Sequence, residues 1–219
     1  RLLREQGVDV KVGGSLARAN QDDLDKLLNI GDELDIPVRV DTYMMPATRE
    51  RDLPYNMQSR LNPEEAARAR IHALKRAMGP ELFPQYVRQS VERADHPEPA
   101  EAKPGHMSCM AGQCSFTINW QGEMRPCVIL TEPAISVFEV GFEAAWKYIV
   151  EETHKILLNE KCSTCHMRHL CRTCAASALL ETGSYGGVPD YMCRSAGESL
   201  RILREEWEKI QHGQTISDR

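Results

Sequence analysis

Apolar and polar residues alternate through VDVKV at 8–12, the period-two pattern of a strand, and Gly13, Gly14 and a polar turn reaching Asn20 follow it. A helix is expected next. Asn20 is a capping residue, Asp22 and Asp23 suit the positive end of a helix, and Leu24, Leu27, Leu28 and Leu34 put an apolar stripe on one side. Asp35-Ile36-Pro37 stops that helix and launches a second strand, VRVDTYM at 38–44. Ahead of all this, LLREQG at 2–7 reads as the end of a helix closed by Gly7 at the C′ position. The pattern predicts a right-handed parallel βαβ unit. Two parallel strands are too few to stand alone, and a parallel sheet needs both faces covered. The expectation is therefore the last strands of a larger α/β sheet or barrel that begins upstream; a small two-layer α+β domain is the alternative.

Asn62-Pro63-Glu64-Glu65 combines a cap, a proline at the first helical position and acids in the first turn, so it predicts a helix running to a stop at Gly79-Pro80. Residues 89–105, QSVERADHPEPAEAKPG, hold three prolines and few large apolar groups, which predicts a protease-sensitive linker and a domain boundary near 105. Beyond it, SFTINW at 115–120 and MRPCVIL at 124–130 flank Gln121-Gly122-Glu123 as the strands of a hairpin, with Cys114 and Cys127 near its base. Amphipathic helices are expected at 142–157 and 198–210, the latter with Leu200, Leu203, Trp207 and Ile210 on one stripe.

With 42% hydrophobic residues, the 219-residue chain can bury a core. Its 27 Lys and Arg stand against 32 Asp and Glu, a net charge of −5 with no basic footprint for nucleic acid. Apolar runs such as CVIL at 127–130 fall far short of the roughly 20 residues of a membrane span.

The eight cysteines, at 109, 114, 127, 162, 165, 171, 174 and 193, all lie in the second half. The sequence shows no secretory signal and its first half is cysteine-free, so metal ligation in a reducing cytoplasm is favoured over a disulfide framework. KCSTCHMRHLCRTC, at 161–174, packs four thiols into fourteen residues. Two Cys-x2-Cys pairs suit zinc or iron–sulfur, and His166 and His169 offer alternative nitrogens. Zinc-ribbon pairs usually stand roughly 15–20 residues apart, whereas five residues separate Cys165 from Cys171. That spacing favours a bulkier cluster and leaves zinc open.

Cys109-x12-Gly122-x4-Cys127, then Cys162-x2-Cys165-x5-Cys171-x2-Cys174, then Cys193 after eighteen residues, resembles the SPASM domain of radical S-adenosylmethionine peptide-modifying enzymes. The family has three residues where Arg172 and Thr173 make two. Residues 8–46 look like the last two strands of the partial (β/α)6 barrel of these enzymes. The resemblance implies barrel strands over 1–60, a bridging helix and linker over 61–105, and an α+β SPASM domain with a β-hairpin and helices over 106–219. It also implies two [4Fe-4S] clusters, one on Cys109, Cys114, Cys127 and Cys174, the other on Cys162, Cys165, Cys171 and Cys193. A third cluster and S-adenosylmethionine would belong to the full-length parent. The Cys-x3-Cys-x2-Cys motif that holds that third cluster is absent, so the chain alone is expected to be inactive. A peptide or protein substrate and an electron donor such as flavodoxin or ferredoxin are the implied partners. A zinc-stapled binding module and a stand-alone iron–sulfur electron carrier are the competing classes.

With a full set of thiols, His166 and His169 are expected to support the ligands or face solvent rather than bind metal. Met44 and Met45 are expected to pack, and Asp41 to be an exposed strand-end carboxylate or to face a ligand. In sulfatase-maturing relatives an Asp directly after the cysteine of G-x4-C resembles a proton acceptor; here that position is Val128, which has no titratable group. The full-length parent should form no formylglycine, and an aldehyde detected on a sulfatase-type Cys or Ser peptide would contradict that.

Overall fold

A computed structural model describes residues 1–48, 51–52, 54–97, 105, 107, 109–171 and 173–212. Helix α1 (Leu2–Glu5) ends at Gly7, whose φ of +73° is open to glycine without strain. The first strand, β1 (Val12–Ser15), starts where the expected strand at 8–12 was to end. Pairing decides this: β1 runs parallel to β2 (Val38–Asp41), from Val12 opposite Val38 to Ser15 opposite Asp41. Gly14 permits the helix to approach, since a Cβ there would stand 2.2 Å from Leu27 Cδ2. Asn20 does not cap the α-helix. Its Oδ1 accepts from Ala17 N at 2.7 Å and its Nδ2 donates to Ser15 O at 3.1 Å, fixing a 3-10 turn (Arg18–Asp23) to the end of β1. Helix α2 (Leu24–Leu34) follows, buries Leu24 and Leu28, and stops at Asp35 in the left-handed region. The strand–helix–strand unit is thus present, with two parallel strands among the described residues. A short antiparallel pair, β3 (Ala47–Thr48) and β4 (Arg51–Asp52), and helix α3 (Pro54–Ser59) lead on from it.

Helix α4 (Pro63–Asp95) begins as expected. Asn62 Oδ1 accepts from Glu65 N and Glu65 Oε2 accepts from Asn62 N, each at 2.8 Å. The expected stop at Gly79 is a break: φ +68° and ψ −178° interrupt the helix, which resumes through Asp95. Residues 89–95, expected in a linker, are therefore helical. Ser90, Val91 and Ala94 are buried in this stretch, Val91 and Ala94 in the core shared with α9 (Asp190–Gln211). Positions 98–104 of that expected linker lie outside the described residues.

The largest core lies between α4 and α9. Ile71, Phe83, Val87 and Val91 meet Ala196, Leu200 and Leu203, and Leu170 enters from the cysteine-rich loop. In the second half, β5 (Thr117–Ile118), β6 (Glu123–Arg125) and β7 (Ile135–Ser136) form an antiparallel sheet in that order. Gly122 turns the expected hairpin with φ +79°; the third strand was not expected. Helices α5 (Val137–Val140) and α6 (Phe142–Thr153) follow, and Ala145 and Ile149 of α6 bury Met124 of the sheet. Two short helices, α7 (Glu160–Ser163) and α8 (Ala175–Thr182), precede α9, which starts eight residues before the 198 expected. Among the described residues no helix is long and apolar enough to cross a membrane.

Leu203 is 0% exposed between the two long helices, and Leu82 is 58% exposed on α4. Leu203→Ala should cost about 2–5 kcal/mol in denaturant unfolding, and Leu82→Ala should stay within about 0.5 kcal/mol.

Candidate metal centre

Four of the eight cysteines ring one cavity. Asn159 caps α7 by accepting from Lys161 N at 3.0 Å, which sets Cys162 in the first turns of that helix. Tight turns then bring Cys165 and Cys171 back toward it: Arg168 N donates to Cys165 O at 3.0 Å and Cys171 N to Met167 O at 3.0 Å. Cys193 comes from the first turn of α9, its N donating to Pro189 O at 3.1 Å. Cys162, Cys165, Cys171 and Cys193 line the cavity, of about 110 Å³, together with Met167, Arg168 and Thr173. The Thr173 hydroxyl is hydrogen-bonded to Cys171 Sγ at 3.0 Å.

The loop is fixed to the long helices at three points. Leu170 is buried in the core between them, Arg70 Nη1 donates to Leu170 O at 2.8 Å, and the His169 ring is bonded to Ser90 O at 2.9 Å. His169 therefore links the loop to α4, while His166 is exposed.

Electrostatically the surroundings oppose ionisation of Cys162 and Cys193. Burial pushes the Cys162 thiol up, with Cys171 and Cys165 adding to it and Arg168 opposing. Burial likewise raises Cys193, with Cys171, Cys162 and Cys165 adding to it. A cationic centre in the cavity would remove both penalties, because a bound metal inverts the local preference of a thiol for its proton. Four thiolates on one zinc at about 2.3 Å stand about 3.8 Å apart. Among the described residues no group of three or more His, Cys, Asp or Glu side chains is placed to share a single ion.

The other four cysteines lie in different surroundings. Cys127 and Cys174 are half-buried on the apolar cluster of Leu130, Ile156, Ala175 and Ala176. Each sulfur accepts from a backbone N–H at 3.4 Å, Cys127 from Leu130 and Cys174 from Ser177. Cys174 is the N-cap of α8. Cys109 and Cys114 are exposed on a loop closed by Gly112 N donating to Ser115 O at 2.9 Å. Gly112, at φ +67°, lies so close to α6 that a Cβ would stand 2.2 Å from Thr153 Oγ1. Thr153 O accepts from Ile156 N at 3.1 Å, which brings the loop to the edge of the Cys127–Cys174 cluster. The structure thus gathers the second expected ligand set around one cavity, and places the first as a half-buried pair and an exposed pair. Cys171 and Cys174 face different surroundings: Cys171 packs against the two cores built on α4, Cys174 against the third apolar cluster.

Of the remaining residues, Met45 packs on the same apolar cluster as Cys174, and Asp41 pairs with Arg39 at 3.0 Å. Val128 is 56% exposed. A polar group with no motif to announce it joins the two halves of the chain. Tyr43 OH donates to Glu181 Oε1 at 2.8 Å, and Arg60 Nη1 meets the same oxygen at 2.7 Å. The Arg60 guanidinium lies 4.4 Å from the Tyr191 ring centroid, and Tyr191 OH donates to Leu61 O at 2.9 Å. Burial pushes the Tyr191 hydroxyl up to about 12 and raises Tyr43 further, with the Glu181 carboxylate adding to the shift on Tyr43. Arg60, Glu181 and Tyr191 also line a cavity of about 360 Å³ that Arg18, just past the end of β1, borders.

No protein-family model, no curated protein and no solved structure matches the chain.

Proposed function

We propose that this chain is the C-terminal part of a radical S-adenosylmethionine enzyme that modifies a peptide or protein side chain. Its second half is read as a SPASM domain that holds two auxiliary [4Fe-4S] clusters. The observation that carries this reading is the parting of Cys171 from Cys174. Three residues apart in sequence, they border different apolar clusters, and Cys171 shares its cavity with Cys162, Cys165 and the distant Cys193. That division is the one the crossed ligand pattern of the family requires.

The residues present fit the group for the cavity set: four thiols, a hydroxyl on Cys171 and an arginine at the wall. For the other set, Cys127 and Cys174 supply sulfurs with backbone N–H donors and Cys109 and Cys114 supply exposed ones. When bound, such clusters take up and pass on single electrons. The chain's own residues place the ligands, donate hydrogen bonds to their sulfurs and shield two of them with Leu130, Ile156, Ala175 and Ala176. In this reading the S-adenosylmethionine site and its cluster belong to the remainder of the parent, along with contacts to the peptide substrate. The electron donor is a flavodoxin or ferredoxin.

The test is paired substitution on anaerobically reconstituted protein, read by iron count and Mössbauer spectrum. Cys174→Ala and Cys193→Ala should each keep about four of about eight iron atoms, because each cluster holds four. The surviving signals should differ. If both variants lose the same cluster, crossed ligation is wrong, and Cys162, Cys165, Cys171 and Cys174 would surround one site instead.

A further inference from the structure

We infer that the segment Tyr43–Met45 is a clamp along α8 that positions Cys174, so that Tyr43 and Glu181 tune the metal cluster Cys174 would bind. The inference rests on the two-cluster reading and adds positioning residues to it. The segment continues β2 beyond Asp41, so it leaves the parallel strands at their C-terminal end, where α/β folds place their ligands.

One end of the segment holds the last turn of α8. Tyr43 OH and Arg60 both bond Glu181 Oε1, at 2.8 and 2.7 Å, and Arg60 Nη2 reaches Oε2 at 3.5 Å. The side chains of Arg60 and Glu181 are only 13% and 9% exposed, so solvent cannot replace a lost partner cheaply. Tyr191 covers the group, its ring 5.3 Å from that of Tyr43. The other end of the segment packs on the apolar cluster to which the start of α8 contributes. Met45 packs on the cluster that contains Ala175 and Ala176 and borders Cys174, and Asn56 Nδ2 donates to Met45 O at 2.9 Å.

Between the two ends lies a stiff lever. Cys174 and Glu181 are seven positions apart, which is two helical turns, on one face and about 10 Å along the axis. A tilt imposed at Glu181 therefore moves the N-terminus of α8. That N-terminus is where Ser177 N donates to Cys174 Sγ at 3.4 Å and Cys174 N donates to Ser177 Oγ at 2.8 Å. Hydrogen bonds to ligand sulfurs set cluster potentials, so a displaced Ser177 N–H is read directly in the electronic properties of the cluster.

The test uses Tyr43→Phe, which keeps the ring and removes the hydroxyl, and Glu181→Gln, in the full chain reconstituted anaerobically. Tyr148→Phe, on the exposed side of α6, serves as control. Each protein is titrated reductively under EPR. The cluster signal that Cys174→Ala abolishes should shift in g-values and midpoint in both variants, while the signal that Cys193→Ala abolishes stays unchanged. A loss of thermal stability with both signals unmoved would show a merely structural role and overturn the inference, leaving the two-cluster reading intact. Wild-type protein that takes up no iron would overturn both.

Discussion

The packing of α9 along α4 determines where the cysteines can meet. Leu200 and Leu203 of α9 sit against Ile71, Phe83 and Val87 of α4, and the same two helices enclose Leu170 of the loop. With the helices held this way, Cys193 at the start of α9 arrives opposite Cys162, Cys165 and Cys171. Burial of several large apolar side chains at about 1.5–3 kcal/mol each anchors that frame. The ion pairs at its margin, Arg68 with Glu198 and Arg204 with Asp95, lie in partly exposed positions where each contributes little.

Against that frame stands an electrostatic cost. Burial and the neighbouring thiols around the cavity of about 110 Å³ push the Cys162 and Cys193 thiols up. The guanidinium of Arg168 offsets part of the cost at Cys162, and a bound metal centre would offset more. The second group of thiols is arranged differently, with helix α8 and two backbone N–H donors directed at Cys174 and Cys127. The polar link from Tyr43 through Glu181 to Arg60 ties this second group to the parallel strands, so the two halves of the chain share one buried junction.

What could be read from the sequence was what short-range chemistry decides. The box at Asn62 and Glu65, the positive φ of Gly122 and the left-handed Gly7 each follow from a few neighbouring residues. The assignment of 89–95 to a linker failed because Val91 and Ala94 look weakly apolar among their neighbours and become core only against a helix a hundred residues later. Alternation at 8–12 misplaced β1, since hydrogen bonding to Val38–Asp41 rather than side-chain pattern sets where a parallel strand begins. The grouping of Cys162, Cys165, Cys171 and Cys193 was implied by the resemblance, not by spacing, which pointed only to a bulkier cluster. The Tyr43, Arg60, Glu181 and Tyr191 group left no signal, as its members come from four separate elements and need no fixed spacing.

The most direct measurement is the metal itself: elemental and acid-labile sulfide analysis of the anaerobically prepared chain, with its absorbance spectrum. Two clusters on eight thiols predict a brown protein with about eight iron and about eight sulfide per chain. A colourless protein with about two zinc and no sulfide would contradict the account.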